Sequence, residues 1–110
     1  MASTSMNERD RHILEVFAAR TRAEFPDAQV WAYGSRARGD AQGDSDYDMC
    51  VVVNDLSEGI EDRIGNIAFE VGWDLEVLIT TVAYRRDQFE HGLFSVSPLV
   101  LNIRREGVLA

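Results

Sequence analysis

Lysine is missing from this chain: every one of its 11 basic side chains is an arginine, against 19 acidic ones. A phosphate ligand built on lysine is therefore excluded, and only guanidinium, which grips phosphate bidentately, is available. A net charge of −8 and a pI near 4.6 leave no basic stripe for a nucleic-acid surface, so direct nucleic-acid binding is not expected. There is one cysteine, Cys50, which cannot form an internal disulfide. It falls in an apolar run and reads as inert core in a reduced, cytoplasmic setting. No apolar run is long enough to span a bilayer, and the first residues lack a basic–apolar leader pattern. A length of 110 residues allows a single domain, 1–110, with one modest core, and no repeat or linker interrupts it. Residues 1–6 are small and polar and are expected to fray.

What is present is a turn that no core would use. Ala28 to Tyr33 reads as a short apolar strand, and Met49 to Val53 as a second, rich in β-branched residues. Between them lie Gly34-Ser35-Arg36-Ala37-Arg38-Gly39 and Ser45-Asp46-Tyr47-Asp48. Gly34 leaves the backbone unobstructed, and Ser35 supplies a hydroxyl where a helix could begin. Free N–H groups at such a start suit an anion, phosphate above all. Asp46 and Asp48, two apart on a strand, point their carboxylates to one face. Like charges held that close favour a cation between them, and hard oxygen ligands suit Mg²⁺, held by one or two carboxylates plus substrate phosphates.

The remaining chain supplies the scaffold. Ile13, Leu14, Phe17, Ala18 and Thr21 recur at helical spacing from Asn7 onward, and Phe25-Pro26-Asp27 ends that helix. Ser57 offers a cap for a second helix, along Ile60, Ile64, Ile67, Ala68 and Val71, with Gly72 as its terminator. Trp73 to Thr80 reads as a third strand, with Asp74 and Glu76 on one face and Leu75, Val77 and Ile79 on the other. Acids in so apolar a strand mark either a wet second face or a functional one. Ala83 to Glu90 is expected to be a short helix stopped by Gly92. Ser97-Pro98 begins another, Gly107 ends it, and Val108 to Ala110 could add an edge strand. The fold class is α/β (α+β): a small mixed or antiparallel sheet flanked by helices, with the first and third helices on one face.

The residues Gly34-Ser35, Ala37, Gly39 and Ser45-Asp46-x-Asp48 resemble the signature of the DNA polymerase β-like nucleotidyltransferase superfamily, and the chain most resembles its minimal members. The resemblance runs from about Val30 through Asn102-Ile103-Arg104-Arg105-Glu106-Gly107, though only the Gly-Ser and Asp-x-Asp portions are specific. It implies transfer of a nucleoside monophosphate, AMP from ATP, to a hydroxyl. Asp46 and Asp48 would hold Mg²⁺, two ions in the family's arrangement, and Gly34, Ser35 and Ser45 would hold the nucleotide. Arg36 and Arg38 are candidate phosphate contacts or solvated turn residues. A third carboxylate from a neighbouring strand is also implied: residue type favours Asp74, while the run Val77 to Thr81 favours Glu76.

Minimal members commonly pair with a small helical HEPN protein, acting as antitoxin and adenylylating a tyrosine on that toxin. The resemblance thus implies a partner that supplies the acceptor, since no acceptor-binding domain fits in 110 residues. The alternatives are a catalytically weak module that neutralises its partner by binding, and a homo-oligomer acting alone on a small molecule.

Overall fold

The structure, a computed structural model, describes residues 6–110. Helix α1 (Glu8–Glu24) starts where Asn7 accepts a hydrogen bond from the Asp10 N–H at 2.8 Å, a cap worth about 1 kcal/mol. Its buried stripe is Asp10, Ile13, Leu14, Phe17, Ala18 and Thr21. Met6, expected to fray, is instead buried in the core. The rest of that expected tail, residues 1–5, lies outside the described residues.

Four strands form one mixed sheet: β1 (Gln29–Tyr33), β2 (Tyr47–Val53), β3 (Ile79–Arg85) and β4 (Val108–Leu109), in the order β3-β2-β1-β4. Strand β1 runs antiparallel to β2 and β4, and β2 parallel to β3. Strand alternation divides the sheet cleanly. Tyr47, Met49, Val51 and Val53 face a core formed with α1 and with helix α3 (Glu58–Leu75), so the first helix shares its face with the Ser57 helix and not, as expected, with the Ser97 helix, whose Val100 and Ile103 pack on the other side. Cys50 and Val52 face the opposite side and pack with Phe89, Val100 and Ile103. Those residues come from the short helix α4 (Arg86–Glu90) and from α5 (Pro98–Glu106). Asp48, two residues before Cys50, belongs to this second side.

The caps of α3 and α5 are those read from the sequence: Ser57 accepts from the Ile60 N–H at 3.1 Å, and Ser97 from the Val100 N–H at 3.2 Å. Gly107 ends α5 for want of space, since a Cβ there would lie 2.3 Å from the Ile103 carbonyl oxygen and 3.0 Å from the Trp31 ring.

One segment departs from expectation. Helix α3 does not stop at Gly72 but continues through Leu75, which packs against the core one helical turn after Val71. Gly72 is required by proximity, because a Cβ would stand 2.6 Å from the Val77 carbonyl. The terminator is Glu76, in the left-handed region at φ 58°. Asp74 and Glu76 are consequently not strand residues. Strand β3 starts three residues beyond Glu76 and extends to Arg85, taking in residues expected to be helical. Alternating polar and apolar residues over 73–78 fit a strand, but the 3.6-residue repeat from Ile60 reaches Leu75 as well and governs.

A left-handed non-glycine residue costs roughly 1–2 kcal/mol, part of which glycine returns as unfolded-state entropy. Glu76→Gly should therefore raise stability by roughly 0.5–1 kcal/mol in urea unfolding, with ATP binding unchanged. A loss of binding would place Glu76 back in the site.

Candidate functional site

Strand β1 runs directly into helix α2 (Gly34–Arg38). Tyr33 occupies the cap position in extended conformation and makes no side-chain bond to the helix, so no side chain caps its first N–H groups. Gly34 has φ +74°, and a Cβ built on it would meet Asp48 Oδ2 at 2.5 Å. Glycine is thus demanded twice, by the left-handed backbone and by the carboxylate lying against it. The other oxygen, Asp48 Oδ1, accepts from Thr80 Oγ1 at 2.9 Å. Parallel pairing sets that contact, because Thr80 is the β3 partner of Asp48, while Tyr33 is its partner on β1. Burial pushes the Tyr33 phenol up to about 12, and the neighbouring Asp48 charge adds to the shift. Asp46, exposed, lies one residue before β2 and two before Asp48, just outside the strand on which it was expected.

Arg36, a candidate phosphate contact from the sequence, is buried with its guanidinium turned to protein groups. Its Nε and Nη2 donate to the Ser45 carbonyl at 3.2 and 2.8 Å, and Nη2 also donates to the Gly43 carbonyl at 3.1 Å. Nη1 lies 3.4 Å from Asp10 Oδ2, and the guanidinium stacks 4.2 Å from the Tyr47 ring centroid. Tyr47 completes the set by donating its hydroxyl to Asp10 Oδ1 at 2.5 Å. Ser45 likewise serves its own loop, its hydroxyl accepting from the Gln42 N–H at 3.0 Å. Arg38 is exposed and held between Asp40, at 3.2 Å, and Glu106, at 3.7 Å.

The third carboxylate is not found on the neighbouring strand. Asp74 pairs with Arg20 of α1 at 2.9 Å, and Glu76 forms the turn after α3. Both line a cavity of about 1160 Å³ with Arg9, Asp44 and Trp73, of which neither Asp46 nor Asp48 forms part. Among the described residues no three His, Cys, Asp or Glu side chains are grouped to hold a metal ion. The donors beside β2 are two carboxylates, with a threonine hydroxyl on β3 in place of a third. That set still fits Mg²⁺, which commonly takes one or two carboxylates and completes its shell with waters and phosphate oxygens.

Asp10, Tyr47 and Thr80 were not singled out in the sequence. Asp10 had a signal: it falls on the apolar stripe of α1, one turn before Ile13 and Leu14, where a carboxylate requires a buried partner. Thr80 had none, because the register placing it beside Asp48 depends on where β3 begins.

The nucleotidyltransferase domain family matches residues 14–99, most of the chain, and the chain belongs to that family. A crystal structure of a toxin–antitoxin MntA-HpeT mutant superposes with a TM-score of 0.61 at 16% identity, over 86% of this chain and 69% of that one. At that identity the likeness is one of fold: a mixed sheet flanked by helices. Comparison with the curated proteins gives no match.

Proposed function

We propose that the chain transfers a nucleoside monophosphate, AMP from ATP, to a hydroxyl on a partner protein. The observation carrying this reading is the seat of Asp48 against Gly34. A carboxylate held directly over the uncapped start of a helix makes sense where a cation and a phosphate are to share the space between them. Asp46 and Asp48 would hold the metal, Thr80 orients Asp48 by its hydrogen bond, and Gly34 and Ser35 would offer N–H groups to the triphosphate. Mg²⁺ bound there would offset the charge of the phosphates and polarise the phosphorus under attack. The acceptor oxygen bonds to the α-phosphorus as the bond to pyrophosphate breaks, and the hydroxyl proton passes to solvent water. A second ion would have no third carboxylate on β3, so the donor set favours one.

The protein acceptor is favoured by the same likeness of fold: the neighbour is one member of a toxin–antitoxin pair. On this reading the chain is an antitoxin, its partner is a helical HEPN-type toxin, and the modified group is a tyrosine hydroxyl. A strongly acidic surface would be steered toward the basic RNA-cutting face of such a partner, and adenylate added there would repel RNA. Incubation with labelled ATP, Mg²⁺ and the co-expressed neighbouring gene product should put adenylate on a partner tyrosine, read by mass spectrometry. Chelator should abolish both the transfer and tight ATP binding. Neutralisation of the toxin with no adenylate on it would favour the second reading, a module that acts by binding alone, which the missing third carboxylate supports.

A further inference from the structure

Asp46 is the least supported residue of the proposed site by its own contacts: it is exposed, it precedes the strand, and it follows a loop of mostly exposed residues, 39–44. Its two chain neighbours are held firmly, and by the same side chain. Arg36 takes the Ser45 carbonyl with two donors, and its guanidinium carbon sits over the ring of Tyr47. Tyr47 is fixed again at its far end by Asp10, which is the counter-charge of Arg36. Side chains of Arg36 and Asp10 are only 8% and 4% exposed, so this is an ion pair inside the protein. Burial of two charges is a poor way to gain stability, because apolar residues of like volume serve as well or better. A buried pair spent on carbonyls of the metal-binding loop has another use.

We propose that Arg36 is a positioning residue: with Asp10 and Tyr47 it clamps the chain on both sides of Asp46 and so sets where that carboxylate meets the metal. The inference rests on the nucleotidyl-transfer reading for the task of Asp46; the grip on residues 43–47 does not. It also places α1 in the site's supporting shell. Asp10 sits in the first turn of that helix, where the Asn7 cap fixes its backbone.

The test is a variant that keeps the core filled while releasing the loop: Asp10→Leu, Arg36→Met, Tyr47→Phe together. No charge is left buried without a partner, so the fold is expected to persist, read by circular dichroism and thermal melting. Affinity for Mg²⁺·ATP by calorimetry should fall by about tenfold to a hundredfold, as when a ligand's outer support is removed. Amide exchange over residues 43–47 should speed up by a similar factor. If the triple variant does not fold, Arg36→Lys replaces it, keeping the charge opposite Asp10 without the fork. A folded variant that binds Mg²⁺·ATP like wild type, or exchanges at the wild-type rate over 43–47, overturns the clamp. A wild-type protein that binds no Mg²⁺·ATP tells instead against nucleotidyl transfer, and exchange alone then decides the clamp.

Discussion

Asp48→Asn should lower transfer of label from ATP by at least about a hundredfold, comparable to deleting a principal electrostatic contact in other active sites. The substitution is close to isosteric. An asparagine oxygen can still accept from Thr80 Oγ1, so the end of β2 keeps its bond to β3. What disappears is one of two negative charges set two residues apart, and with it much of the attraction for a divalent cation. Metal-free stability should hold steady or rise slightly, because repulsion from Asp46 is relieved. Loss of function without loss of fold is thus the expected signature, and the Asp46→Asn, Asp48→Asn double variant should also fail to protect cells from a toxic partner. Asp74→Asn supplies the contrast. Its carboxylate is half exposed and turned to Arg20, so the change costs about 0–1 kcal/mol of stability and leaves transfer intact. Equal damage from Asp74→Asn would mean that α3 ends earlier than described and that a third acid reaches the site after all.

How far the sequence could be read depends on how local each signal is. The Gly34-Ser35 turn, Asp48 on its strand and the caps at Ser57 and Ser97 are carried by neighbouring residues, and the structure has them at the expected positions. The segment 73–80 failed because two periods coincide there. Leu75 suits either a strand face or the next turn of α3, and packing against the core decides for the helix. Glu76 hid the boundary, since helices commonly end left-handed on glycine, and here the glycine four residues earlier serves a close contact instead. From that single displacement follow the wrong strand for Asp74 and Glu76 and the unforeseen place of Thr80.

The contacts of Arg36 were hidden for a different reason. From sequence it is a basic residue beside a phosphate-type turn, and nothing local distinguishes a donor aimed at ligand from one aimed at carbonyls. The deciding partner, Asp10, is 26 positions away. Long-range polar contacts of this kind are legible only as oddities, such as an acid on an apolar stripe, that need a partner not yet named.

Gly34→Ala should be the most damaging change that touches no functional group. The left-handed φ of +74° alone costs a non-glycine residue roughly 1–2 kcal/mol. The new Cβ would stand 2.5 Å from Asp48 Oδ2, where real Cβ contacts essentially never fall below 3.0 Å, so the carboxylate must withdraw by about half an ångström. Its retreat is limited on the other side by Thr80, whose hydroxyl holds Oδ1 at 2.9 Å. Either that bond breaks or the start of α2 shifts, and both move Asp48 relative to the N–H groups meant for phosphate. A misplacement of about 1 Å can cost roughly a hundredfold in rate, so a shift of about half that should cost about tenfold. Gly43→Ala is the control: it lies in the same loop system, has no positive φ, and nothing stands within 4 Å of its added Cβ. Gly43→Ala should melt and transfer label like wild type, while Gly34→Ala should melt lower, bind Mg²⁺·ATP weakly and transfer little. Wild-type transfer by a folded Gly34→Ala protein would show that Asp48 can leave its seat without consequence, and the site would have to be sought elsewhere on the sheet.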